Sequence, residues 1–289
     1  MSAERAPSLE WRCGDRKLRL RERPLIMGVL NVTPDSFSDG GRYLDPAAAV
    51  ARGLEMLEEG ADLLDVGGES TRPGAADVPA EEELRRVAPV VQELCRDPAA
   101  VVSVDTTKAA VARRALACGA RIVNDVSALT ADPGMAAAAR EAGAGVILMH
   151  RQGTPRTMQE NPQYGEVVTE VRDTLEKRIE EAVAQGLDRR SLAVDPGIGF
   201  GKTLEHNLRL LARLPELARL GAPVVVGVSR KSFLGRITGR PVEARLPASL
   251  AALVFCVLNG AHVMRVHDVR ASREAVETAA ALSRFRGEE

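Results

Sequence analysis

Eight short apolar runs, each stopping at a polar residue capable of chemistry, constrain this chain more than any other feature. Ile26–Leu30 stops at Asn31, Leu63–Leu64 at Asp65, Val101–Val104 at Asp105, and Ile122–Val123 at Asn124 and Asp125. Val146–Met149 stops at His150, Leu192–Val194 at Asp195, Val224–Val228 at Ser229-Arg230-Lys231, and Val263–Met264 at Arg265-Val266-His267. Runs of Val, Ile and Leu this continuous suit parallel strands buried on both faces. Polar groups gathered at the carboxyl ends of such strands lie where α/β sheets build their sites.

Helical spacing fills the gaps between the runs. Asp45 is placed to cap a helix, Pro46 to occupy its first position and Gly60 to lie just past its end. Val50, Leu54 and Leu57 would form its apolar stripe. After Pro79 the stripe is Val87, Val90, Val91 and Leu94, and Pro89 is expected to kink or end that helix. Residues 166–184 place Val168, Val171, Leu175 and Ile179 on one side; 107–118, 133–142, 204–220 and 271–284 are also helix-like.

Strand and helix alternating eight times argue for parallel strands, and at 289 residues for a closed α/β barrel rather than an open sheet. Residues 9–22 alternate about Gly14-Asp15 and suit a hairpin plugging the amino-terminal mouth. No Pro/Gly/Ser linker interrupts the chain, so 1–289 is expected to be one domain, with 1–22 an extension and 23–285 the barrel. Segment 248–260 is apolar on every side. A helix of that kind needs cover all round, and a second copy of the chain would supply it, which leads us to expect a homodimer.

The net charge of −1 gives no sign of a nucleic-acid partner or an anionic membrane surface, and no apolar stretch reaches membrane-span length. The opening MSAERAPSLEWR lacks the apolar core of a signal peptide. Cys13, Cys95, Cys118 and Cys256 are scattered and read as reduced thiols. A soluble cytoplasmic protein is expected. The string PGIGFGKT at 196–203 fails as a nucleotide loop because Pro196 and Lys202 stand where glycines are needed, leaving a turn that lets a ligand approach the backbone. His262 and His267 are not spaced as a zinc pair, and no serine sits in a G-x-S-x-G elbow. Glu58, Glu59, Glu81–Glu83 and His206 read as solvated, and His150 as a tie between neighbouring loops.

The remaining strand-end groups divide by charge. Asp105, Asn124 and Asp195 accept hydrogen bonds, while Lys231, Arg265 and His267, with Arg72 on a loop, carry positive charge. Such acceptors suit an aminopyrimidinone-type ring, and the cations suit a phosphate-type group, because charge-assisted pairs are strong. The alternative for Asp105 and Lys231 is that they bridge only each other. Residues 31–41 and 67–74 are rich in glycine, proline and hydroxyls, as mobile lids are. Asn31 offers a neutral oxygen to a hard cation.

The strings IMGVLNVTPDSFSDGG, DVGGESTRPGA, SVDTTK, VNDVS, DPGIGFGK, GVSRKSFLG and RVHDV occur in an order that resembles the dihydropteroate synthase family of pterin-binding enzymes, from about Ile26 to Val269. The resemblance implies a TIM barrel, a (β/α)8 fold. It implies condensation of 6-hydroxymethyl-7,8-dihydropterin pyrophosphate with 4-aminobenzoate, and a requirement for Mg2+. Carried over by position, Asp105, Asn124, Asp195 and Lys231 would hold the pterin ring. Arg265 would lie against the ring and reach the pyrophosphate with His267. Asn31 would contact Mg2+, and Thr71 and Arg72 would approach the same substrate. Phe37, Pro73, Phe200 and Ser232 would line the aminobenzoate pocket, where sulfonamides compete in this family. Lys231, Asp105, Asp195 and Arg265 are the expected catalytic set. Departures such as Thr107 and the LPASLAA stretch fall away from these positions. A pterin-dependent methyltransferase domain would leave Asn31 and the Ser70-Thr71-Arg72 loop unexplained, and a silent pterin-binding paralogue is the remaining alternative.

Overall fold

The computed structural model describes residues 9–20, 23–33, 45–70, 77–153 and 157–285. Strands β1 (Glu10–Cys13) and β2 (Arg16–Arg19) pair antiparallel about a turn at Gly14. Eight further strands follow: β3 (Leu25–Asn31), β4 (Leu63–Gly67), β5 (Val102–Asp105), β6 (Ile122–Asp125), β7 (Gly145–Met149), β8 (Leu192–Asp195), β9 (Val225–Gly227) and β10 (Val263–Val266). They pair in parallel in the order β8-β7-β6-β5-β4-β3-β10-β9. A bridge between Val194 and Val224, with the Val194 amide donating to the Pro223 carbonyl at 2.8 Å, joins the two ends. The result is a TIM-type barrel with helices around it.

The helices are α1 (Pro46–Glu58), α2 (Ala80–Leu94), α3 (Ala109–Ala117), α4 (Met135–Glu141), α5 (Val167–Ala184), α6 (Leu204–Ala212), α7 (Leu214–Ala218), α8 (Ser232–Thr238), α9 (Leu246–Leu258) and α10 (Val269–Arg284). Their ends follow local chemistry. Asp45 caps α1 through the Ala47 amide, and the Glu166 carboxylate caps α5 through Val168 and Thr169. The 204–220 segment breaks in two at Arg213, ahead of Pro215.

The hairpin plugs the barrel from below. Trp11 and Cys13 are fully buried among Leu63, Ile122, Ile147, Ala193, Val225 and Val263, the inward side chains near the strand starts. The Trp11 indole N–H donates to the Ser191 carbonyl at 2.8 Å. The wider core lies between the strands' outer faces and the helices.

Four expectations about the helices need correction. The buried face of α1 is Ala49, Gly53 and Met56, while Leu54 is 41% exposed. Gly53 has no side chain and lets Leu94 of α2 pack against it, so the helix turns its small residues inward. Pro89 neither kinks nor ends α2, which runs on to Leu94; it is exposed, opposite the buried Val87, Val90, Val91 and Leu94, and packing of that stripe carries the helix past it. Glu83 is fully buried rather than solvated, because it shares that stripe and meets Lys108 at 2.6 Å. His206 accepts from the Thr203 amide as Thr203 accepts from its own, a capping box at the start of α6.

Candidate active site

Side chains alternate along a strand, so one parity fills the barrel from bottom to top. On β4 this series is Leu63, Asp65 and Gly67; on β5 it runs through Ser103 to Asp105; on β6 it is Ile122 and Asn124. On β8 it is Ala193 and Asp195, and on β10 Val263 and Arg265. The apolar members meet the hairpin plug, and the polar members form the floor of the opposite mouth.

Four of these side chains are linked in one chain. Asn124 Nδ2 donates to Asp65 Oδ2 at 2.9 Å, which leaves its carbonyl oxygen for another donor. Arg265 donates from Nε to the same Asp65 oxygen at 2.6 Å and from Nη2 to Asp105 Oδ2 at 2.8 Å. Among the described residues, Asp65 Oδ1, Asp105 Oδ1 and Ser103 Oγ are buried without a hydrogen-bond partner. A buried acceptor left unpaired is costly, and of these residues Asp105, at the strand end and 7% exposed where Asp65 and Ser103 are fully buried, is the one an N–H group at the mouth can reach. Burial pushes the Asp105 carboxyl well above its ordinary range, and Arg265 only partly offsets it because Asp65, Glu83 and Asp125 add repulsion. Burial also works against the Arg265 charge, but Asp65 and Asp105 outweigh it and hold the guanidinium more firmly protonated than usual.

Asp195, on the other side of the mouth, accepts from the Gly197 amide at 2.6 Å. Burial raises its pKa, opposed first by the Lys231 charge. Lys231 precedes α8, donates to the Ile198 carbonyl and lies 5.0 Å above the centre of the Phe200 ring. Burial pushes its ammonium down to about 8, with Asp195 pulling the other way. Lys231 therefore does not bridge Asp105, whose partner is Arg265. Ser232, exposed at the first position of α8, stands beside Lys231.

His267 follows β10, with its ring Nδ1 3.0 Å from Ser229 Oγ, an oxygen that also accepts from the His267 amide. Asn31 ends β3, half-buried. Phe37, Thr71, Arg72 and Pro73 lie outside the described residues. Asp125 accepts from Ser127 and Leu129 and braces the turn beyond Asn124.

Some participants were not singled out in the sequence. Asp65, which the sequence marks only as the polar residue ending the second apolar run, ties Asn124 to Arg265; its parity with Asp105 is the available signal. Glu69 joins Lys108 at 2.5 Å and the Val78 amide at 2.8 Å, while Lys108 also holds Glu83, so the two ends of the second loop are tied to each other, to α2 and to the start of α3. Nothing in local spacing announces that triad. Gly197 and Gly201 have positive φ and admit the backbone of His150 and Gln152 at close range.

A floor of buried acceptors beside two cations, at the carboxyl mouth of a parallel barrel, defines an enzyme site for a flat N–H-rich ring carrying an anion. Residues 27–267 match the family model described as pterin binding enzyme. The chain is 51% identical over 263 residues to a dihydropteroate synthase of Mycobacterium leprae, covering 89% of this chain and 92% of that protein. It is also similar to the Xanthomonas albilineans dihydropteroate synthase solved with 4-aminobenzoic acid, with a TM-score of 0.89 and 48% identity, covering 96% of this chain and 99% of the other. A Xanthomonas albilineans structure in complex with 7,8-dihydropteroate gives a TM-score of 0.86 at 46% identity, covering 95% and 98%. The chain belongs to the dihydropteroate synthase family of pterin-binding enzymes.

Proposed function

We propose that the chain condenses 6-hydroxymethyl-7,8-dihydropterin pyrophosphate with 4-aminobenzoate, giving 7,8-dihydropteroate and pyrophosphate. The observation that carries this reading is the Asn124–Asp65–Arg265–Asp105 chain with its unpartnered carboxylate oxygens. Asp105, Asn124 and Asp195 would accept from the ring's amine and amide N–H groups, and Lys231 would donate to a ring acceptor. Arg265, firmly cationic, would lie against the ring and reach the pyrophosphate with His267, helped by Thr71 and Arg72. Phe200, with Phe37, Pro73 and Ser232, would receive the aromatic amine.

The leaving pyrophosphate needs positive charge more than a proton. Electron release from the pterin lets the C–O bond break first, and Asp105 and Asp195 then stabilise the cationic methylene. The neutral amine forms the new C–N bond and gives up its proton to solvent. Among the described residues no three His, Cys, Asp or Glu side chains come together to hold a metal. A single amide oxygen, Asn31, suits an Mg2+ ion that takes its other ligands from pyrophosphate and water. When bound, that ion would supply charge neutralisation at the leaving group.

A homodimer belongs to the same reading. Phe255 and Leu258 of α9 are 47% and 41% exposed, and Leu282 and Phe285 at the end of the adjoining α10 are 69% and 73% exposed. An apolar area of this kind suits a second copy. The four free thiols suit the reducing cytoplasm. No described helix is long and apolar enough to cross a membrane.

Mass spectrometry tests the reaction: 7,8-dihydropteroate should form only with both substrates and Mg2+ present. Pterin binding without product would reject synthase activity.

A further inference from the structure

The segment carrying Phe200 is held by its backbone to an unusual degree. Every carbonyl from Gly197 to Gly201 accepts a hydrogen bond. Gly197 receives the Phe200 amide at 3.0 Å, and Ile198 receives Lys231. Gly199 receives Gln159 Nε2 at 2.6 Å, Phe200 receives Lys202 Nζ at 3.0 Å, and Gly201 receives the Tyr164 hydroxyl at 2.9 Å. Gln159 and Tyr164 come from the segment between β7 and α5. Lys202 ties back to the end of β7, where Nζ meets the His150 carbonyl at 3.3 Å and Nδ1 at 3.0 Å. An added Cβ at Gly197 would collide with the His150 carbonyl, so the two segments lie against each other with no slack.

Lys202 is the costly part of this arrangement. It is 3% exposed, and its hydrogen-bond partners among the described residues are two carbonyls and an imidazole nitrogen rather than a carboxylate. An apolar side chain would fill such a place more cheaply than a buried amine, if filling were all that was needed. What the amine adds is a fixed separation between the His150 and Phe200 carbonyls. Burial pushes Lys202 down to about 7 against the pull of Asp195, with the Lys231 charge adding to the push, and burial with the Lys202 charge pushes His150 down to about 3. Charged, the amine donates to both carbonyls and to Nδ1; neutral, it donates to both carbonyls and accepts from an Nδ1–H. The tie holds in either state.

We propose that Lys202 is a positioning residue for the aromatic-amine subsite: by locking the Phe200 carbonyl to His150 it sets the Phe200 ring beneath Lys231, and so fixes how tightly 4-aminobenzoate binds. This rests on the condensation proposed above. Lys202→Met removes the hydrogens and keeps the bulk, while Tyr164→Phe removes one donor from the same segment with little risk to folding. The KM for 4-aminobenzoate should rise about tenfold in Lys202→Met and about threefold in Tyr164→Phe, the range expected for a lost buried hydrogen bond. In both, the pterin KM and the kcat at saturating amine should stay within about twofold, because a bond made equally in ground and transition states changes KM alone. Hydrogen exchange at amides 197–202 should quicken in both variants.

An unchanged amine KM in both variants, or pterin and amine KM rising together, would overturn the proposal. If Lys202→Met does not fold, Tyr164→Phe decides it by the same measures. Wild-type protein that binds pterin without turning over would instead remove the condensation reading. The exchange rates at 197–202 would then still decide the tie: faster supports it, unchanged overturns it.

Discussion

Asp65 never needs to touch substrate to control two residues that would. Its Oδ2 fixes the amide of Asn124 and one edge of Arg265. Asp65→Asn should weaken pterin binding about tenfold, the scale of one charge-assisted hydrogen bond, and a fluorescence titration giving wild-type affinity would contradict that. Protons report on the same floor. Asp105 and Asp195 are both held above the carboxylate range, chiefly by burial. The folded, ligand-free protein therefore keeps protons that the unfolded chain has released. The stability they contribute is present in acid and is lost as pH climbs through their folded values. Ring N–H donors favour the ionised carboxylates, so pterin binding should release protons. Calorimetry in buffers of different ionisation enthalpy checks this, and a buffer-independent heat would count against it. On the alkaline side, Lys231 titrating at about 8 should lower kcat/KM, and Lys231→Arg should move that limb upward. At this scale the sequence was informative wherever a residue's parity on a strand placed it, as with Asp105, Asn124, Asp195 and Arg265. Lys202 and Glu83 were opaque because their partners are supplied by other elements.

The elements divide their labour along the barrel axis. The β1–β2 hairpin closes the bottom, so the strands need only apolar side chains there and can carry chemistry at the other end. Trp11→Ala should cost about 3–5 kcal/mol of stability, as other buried aromatic truncations do, while kcat of the folded fraction remains near wild type. A denaturant titration and an assay at low temperature read the two separately; equal loss of both would tie the plug to the site instead. The hairpin was readable from alternation about Gly14-Asp15, and the eight strands from their apolar runs. The inward face of α1 was not, because Gly53 meets Leu94 of α2 and Ala49 is buried beside it on the same face, and small residues leave no hydrophobic stripe. The break at Arg213 between α6 and α7 likewise follows from one proline within an otherwise continuous pattern.

At the scale of the whole molecule, the apolar surface of α9 and α10 and the polar mouth of the barrel each carry a prediction. The surface around Phe255 and Leu258 predicts a dimer in light scattering at micromolar concentration, and Phe255→Asp should shift the mass toward the 30.9 kDa of one chain. A wild-type mass already at that value would contradict dimerisation. The mouth is tested most directly by pyrophosphate release, measured with pterin pyrophosphate, 4-aminobenzoate and Mg2+. Wild-type protein should release pyrophosphate in step with 7,8-dihydropteroate, and Asp105→Asn should be slower by roughly 10- to 100-fold, the loss expected for one charge-assisted contact. Pyrophosphate release at equal rates in the two proteins, or none from the wild type, would contradict the assignment of this mouth as the site of condensation.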